Sequence, residues 1–121
     1  MDTTTVDYIA ERVDILAASD ASTQVTKDAA NAWKEAVAAG GADAADAATE
    51  QLLDILEGRP TTIDVVIAFA EGPAKEMFGE EAAAQILTTQ QQRKAEGAKW
   101  CDCDACTAAT EILAKFGRVE L

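Results

Sequence analysis

Apolar side chains recur every three or four residues along most of this chain, the spacing of helices that each bury one face. Val6, Ile9, Ala10, Val13, Leu16 and Ala17 mark the first stripe, with Thr3 to Thr5 as candidate N-caps and an end near Ser19. Ser22 or Thr23 opens a second, carrying Val25, Ala29, Ala32, Trp33, Ala36 and Val37. Gly40 and Gly41 close it, because glycine enters the left-handed C-terminal turn without steric penalty. Asp43 is placed to cap a third helix running to Glu57, with Ala48, Leu52, Ile55 and Leu56 inward; Gly58 ends it and Arg59-Pro60 blocks continuation. The alanine-rich start of that helix reads as helix rather than linker, since alanine is the best helix former and aspartates suit a helix start.

Thr61 or Thr62 caps the most apolar segment, Ile63 to Ala70. A strand there would need a partner, and no other segment alternates with period two, so the expectation is a central helix wrapped by the others. Gly72-Pro73 breaks it, and Pro73 suits the first position of a brief helical turn through Phe78. From Glu80 a longer helix buries Ala83, Ile86 and Leu87. Beyond Thr88 its stripe gives way to Thr-Gln-Gln-Gln-Arg-Lys, which either projects into solvent or meets a polar surface, before Gly97 stops it. A final helix capped by Asp104 turns Ala109, Ile112, Leu113 and Phe116 inward and ends at Gly117. The pattern predicts an all-α fold: a single compact bundle of five or six helices, without a sheet, forming one domain over residues 1–121.

Composition adds a constraint on the core. The chain is 49% hydrophobic, enough to close one core without staples, but much of that is alanine, which buries little area. Val, Ile, Leu, Phe and Trp must therefore carry it, with Trp33 and Trp100 as anchors. Charge removes several functions. Ten basic against 22 acidic residues leave −12, spread along the chain, a field that repels phosphate backbones and anionic membranes. No nucleic-acid or membrane partner is expected, and without a glycine-rich phosphate loop no nucleotide either. Residues 1–8 lack a basic leader, and no apolar run nears the ~20 residues of a membrane span, so the expected location is the cytoplasm.

The chain has no histidine, which removes Ser-His-Asp and Cys-His catalysis and every His-containing zinc site. Acidic pairs such as Glu80 and Glu81 read as first-turn residues stabilised by the helix dipole, so no catalytic residue is assigned. What remains is Lys99-Trp-Cys-Asp-Cys-Asp-Ala-Cys106, which holds all three cysteines. An odd, clustered set is not the paired framework of a secreted mini-protein; in a reducing compartment it stays as thiols or metal ligands.

Cys101, Cys103 and Cys106 form C-x-C-x-x-C at the 99–106 junction of loop and helix. In an extended lead-in, side chains two apart point the same way, and C-x-x-C at a helix start brings two sulfurs together, so all three thiols can converge. The first reading is a metal site for Zn²⁺ or an iron-sulfur cluster. Zinc takes four ligands; Asp102, Asp104, a water or a cysteine of a second copy, which would make a homodimer, must complete the set. A carboxylate would leave a net negative centre in an acidic protein, so an open fourth position is favoured. The second reading is a redox dithiol of Cys103 and Cys106 with Cys101 as auxiliary thiol. The third is a helical adaptor for a protein partner, with Cys106 packed as a small hydrophobe and 88–94 as the working surface.

The Asp7-Tyr8-Ile9 helix, Trp33, the segment Ile63 to Glu71 and the junction Gly97 to Cys106 together resemble a small family of uncharacterised proteins from anaerobic bacteria. The likeness extends over nearly the whole chain, and the cysteine junction is its most specific part. Some members carry the label of ninety-kilodalton heat-shock chaperones. The resemblance implies a bacterial protein and brings no established activity; a chain of this length without nucleotide loops does not hold that ATPase.

Overall fold

Asp2, rather than one of the threonines after it, opens the first helix: its Oδ1 accepts the Thr5 backbone N–H at 2.7 Å. Helix α1 then runs Thr3–Ala18, closes at Ser19, and buries Ile9, Val13 and Leu16 as the stripe required. This computed structural model describes residues 1–58 and 60–120; the expected stop at Arg59 lies outside them. Among the described residues the chain forms six helices and no strand, an all-α arrangement. It divides into two compact units, one built from residues 1–60 and 102–120, the other from 61–101.

In the first unit Thr23 caps α2, Gln24–Leu56, by accepting the Thr26 N–H. The two helices expected on either side of Gly40-Gly41 are continuous in helical hydrogen bonding apart from one break, at Gly41 with φ 65° and ψ −154°. That break is a reversal. The Trp33 indole N–H donates to Thr49 Oγ1 at 3.0 Å across 16 residues, whereas a straight helix would separate those positions by about 24 Å. The chain therefore doubles back, and Gly40 must stay small because a Cβ there would meet Ala44 Cβ at 2.6 Å. Asp43 follows as an exposed helical residue. Val25 and Ile55, expected inside, are 64% and 40% exposed.

Helix α6, Asp104–Lys115, buries Ala105, Ala108, Ala109, Ile112 and Leu113 into the same core as Ile9, Val13, Leu16, Trp33, Leu52, Leu53 and Leu56. Arg12 joins α1 to α6: its guanidinium lies 3.5 Å from the Tyr8 ring centroid and pairs with Glu111 at 2.7 Å. Phe116 does not face inward; it is the C-cap residue and is 37% exposed. Arg118, just beyond, is held by Glu50, Asp54 and Glu57, and the hydrogen bonds it donates to Glu57 first and Asp54 next keep its guanidinium pKa above the usual value.

The second unit consists of α3, Ile63–Glu71, α4, Pro73–Phe78, and α5, Glu80–Ala95. Thr62 caps α3 by accepting the Val65 N–H, and Pro73 stands at the start of α4 as its fixed φ favours. The apolar segment is helical, but it is not a wrapped central helix. Only Ile63 and Ala70 in it are buried, and Val65 is 57% exposed. Phe69 meets Phe78 edge-on, with ring centroids 6.3 Å apart.

Candidate metal centre

The polar stretch at the end of α5 is where the site begins. It does not simply project into solvent: Gln90 is buried, and Arg93 Nη1 donates to Gln90 Oε1 at 2.7 Å and to the Trp100 carbonyl at 3.1 Å. Lys94 pairs with Asp64 at 2.5 Å. Gly97, with φ 100°, turns the chain back so that residues 99–101 run beside 61–63. There the Ile63 N–H donates to the Lys99 carbonyl at 3.0 Å and the Cys101 N–H to the Thr61 carbonyl at 2.8 Å, an isolated antiparallel bridge of Thr62 with Trp100. The extended lead-in expected before the cysteines is thus pinned by backbone on one side and by a guanidinium on the next carbonyl.

Two residues on, the helix begins one residue earlier than expected. Cys103, not Asp104, is the N-cap of α6, and its Sγ accepts the Cys106 N–H at 3.3 Å. An N-cap side chain turns toward the backbone of the third helical residue, and that residue is Cys106. Asp104 occupies the first helical position instead; its Oδ1 accepts from the Ala105 N–H at 2.8 Å and from Ser19 Oγ at 2.5 Å, which ties the start of α6 to the end of α1.

The consequence is convergence within one hexapeptide. The Sγ atoms of Cys101, Cys103 and Cys106 all lie within 4.8 Å of one another, with Cys106 buried and the other two half-buried. Asp102 and Asp104 are both exposed and neither belongs to that group. Three sulfurs sharing one tetrahedral zinc ion at about 2.3 Å would sit about 3.8 Å apart, so closure would ask for shifts of no more than about an ångström. The helix N-terminus under Cys103 and Cys106 favours the negative charge that thiolates bring.

Sequence reasoning found all three sulfurs but missed Arg93, Gln90 and Thr61, which hold the lead-in. Their signal was present: Gln90 and Arg93 stand three apart, one face of a helix, in a stretch with no apolar stripe. Among the described residues no helix is long and apolar enough to cross a membrane. Compared with protein-family models, with curated proteins and with solved structures, the chain matches none.

Proposed function

We propose that this chain is a non-enzymatic metal-binding protein that holds one thiophilic ion, Zn²⁺ being the best fit, on Cys101, Cys103 and Cys106. The observation that carries this reading is the approach of three thiol sulfurs to within 4.8 Å in a chain without histidine. Soft thiolate donors select zinc, cuprous ions and iron-sulfur clusters. The spacing favours a single ion over a four-iron cluster, whose thiolates each sit on a separate iron and stand farther apart than sulfurs that share one centre. Metal-free protein titrated with Co²⁺ under reducing conditions tests it. One equivalent should bind with an intense thiolate-to-cobalt charge-transfer band, and changing all three cysteines to serine should abolish that band. A protein that takes up no Co²⁺ or Zn²⁺ is not the protein proposed here.

A thiol-redox role is the second reading, favoured by the placement of Cys103 and Cys106 at the N-cap and third position of α6. It requires a reversible disulfide between these two. Slow, equal alkylation of all three thiols in metal-free protein would exclude it.

A further inference from the structure

We infer that two copies of this chain meet through the apolar outer face of α3 and α4. Among the described residues of the unit 61–101, the buried apolar side chains are Ile63, Ala70, Ala74 and Ala83, three of them alanines that bury little area. A unit of that size with so small a core ordinarily draws cover from outside itself. Its larger side chains face outward. Val65 and Phe69 stand one turn apart on the side of α3 away from Ile63 and Ala70, and Phe78 of α4 meets Phe69 edge-on. Val65 is 57% exposed, Met77 65% and Phe78 55%. Asp64 and Glu71, the two charged residues of α3, lie about 100° or more around the helix from Val65 and Phe69, so no charge interrupts the face. A contiguous exposed apolar patch of this kind marks an interaction surface.

Charge and size select a second copy as its occupant. Residues 61–101 carry six acidic and four basic side chains, whereas the rest of the chain carries 16 acidic and six basic, which is −2 against −10. Two copies repel each other through the acidic remainder and approach at least electrostatic cost through this face. A cationic partner is drawn to the acidic remainder instead. At the edge of the patch the exposed Glu71, Lys75 and Glu76 are of both signs, so the rim adds little repulsion when the face is turned onto itself. Val65, Met77 and Phe78 leave about 300 Å² open per copy, and a twofold pairing covers about 600 Å² from these three alone. That is half of the roughly 1,200 Å² at which specific interfaces begin, and it describes a reversible dimer.

The test is sedimentation velocity of the full-length chain under reducing conditions, over about 1 to 500 µM. The expected result is a monomer–dimer equilibrium whose Kd falls several-fold between about 50 and 500 mM NaCl, because salt screens the like charges of the two copies. Val65→Lys and Met77→Lys, both at exposed positions, should each raise the Kd at least about ten-fold with the helical circular dichroism unchanged. Val25→Lys, equally exposed but in the other unit, should leave it where it was. The variant with all three cysteines changed to serine should still associate, since the face contains no sulfur ligand. A monomer throughout overturns the inference, as does a dimer that ignores both lysine substitutions, yields equally to Val25→Lys, loosens with salt, or disappears with the cysteines while the helices persist.

Discussion

Replacing Thr49 by valine puts the reversal at Gly40-Gly41 to a quantitative test. Thr49 and valine have nearly the same shape, so the change removes the hydroxyl while leaving packing in place. In the folded chain Thr49 is 2% exposed and Trp33 3% exposed, and the indole N–H loses its acceptor at 3.0 Å. A buried donor stripped of its partner costs about 1–3 kcal/mol. If α2 were instead one straight rod, the two side chains would lie about 24 Å apart. The substitution would then fall on a surface position and stay within about 0.5 kcal/mol of wild type. The measurement is urea unfolding followed by Trp33 fluorescence in a Trp100→Phe background, which leaves Trp33 as the single indole reporter. With a slope of about 1–1.5 kcal/mol/M, the midpoint should fall by about 0.7–3 M. Thr49→Ser, which keeps the hydroxyl, should lose less than Thr49→Val. A valine variant indistinguishable from wild type would refute the doubled-back helix.

Other consequences follow from the same structure. Gly41→Ala places a Cβ at φ 65° and ψ −154°, a region reserved for glycine, and should destabilise the chain by about 1–3 kcal/mol in the same urea assay. Arg93→Met removes the donor to the Trp100 carbonyl without touching a sulfur; Zn²⁺ affinity by competition with a chelator should fall about 10- to 100-fold while stoichiometry is kept. Asp2→Ala should lower the melting temperature at neutral pH. Thr5, through its side chain first and its backbone N–H next, holds the Asp2 carboxyl pKa below its ordinary value. Its contribution is therefore complete above the unfolded pKa and lost as pH falls through the lower folded one, so wild type and variant should converge in strong acid.

The helical class and most element boundaries were legible because they rest on local physics: three-and-four apolar spacing, threonine caps, and glycines at Gly41, Gly97 and Gly117 that do adopt positive φ. The meeting of Trp33 with Thr49 was not, since Thr49 reads as one polar residue in a helix until the turn at Gly41 brings a donor to it. The same holds for the apolar stretch Ile63 to Ala70. Its composition suggested a fully buried core helix, yet an exposed Val65 shows that hydrophobic content sets helix formation here more than it sets depth. At the site, the cysteine spacing carried the convergence. The choice of Cys103 over Asp104 as N-cap was hidden, because aspartate is ordinarily the better cap and here Ser19, 85 residues away in sequence, draws its carboxylate aside. Long-range hydrogen bonds of this kind leave no periodic trace.

The most direct test of the central claim is the zinc, iron and acid-labile sulfide content of protein purified without oxygen and without a metal-binding tag. The expected result is close to one zinc per chain, no sulfide, and loss of the zinc when Cys101, Cys103 and Cys106 are all changed to serine. Iron with stoichiometric sulfide would contradict the single-ion geometry. A chain that is metal-free as purified and remains so after incubation with zinc would contradict the account itself.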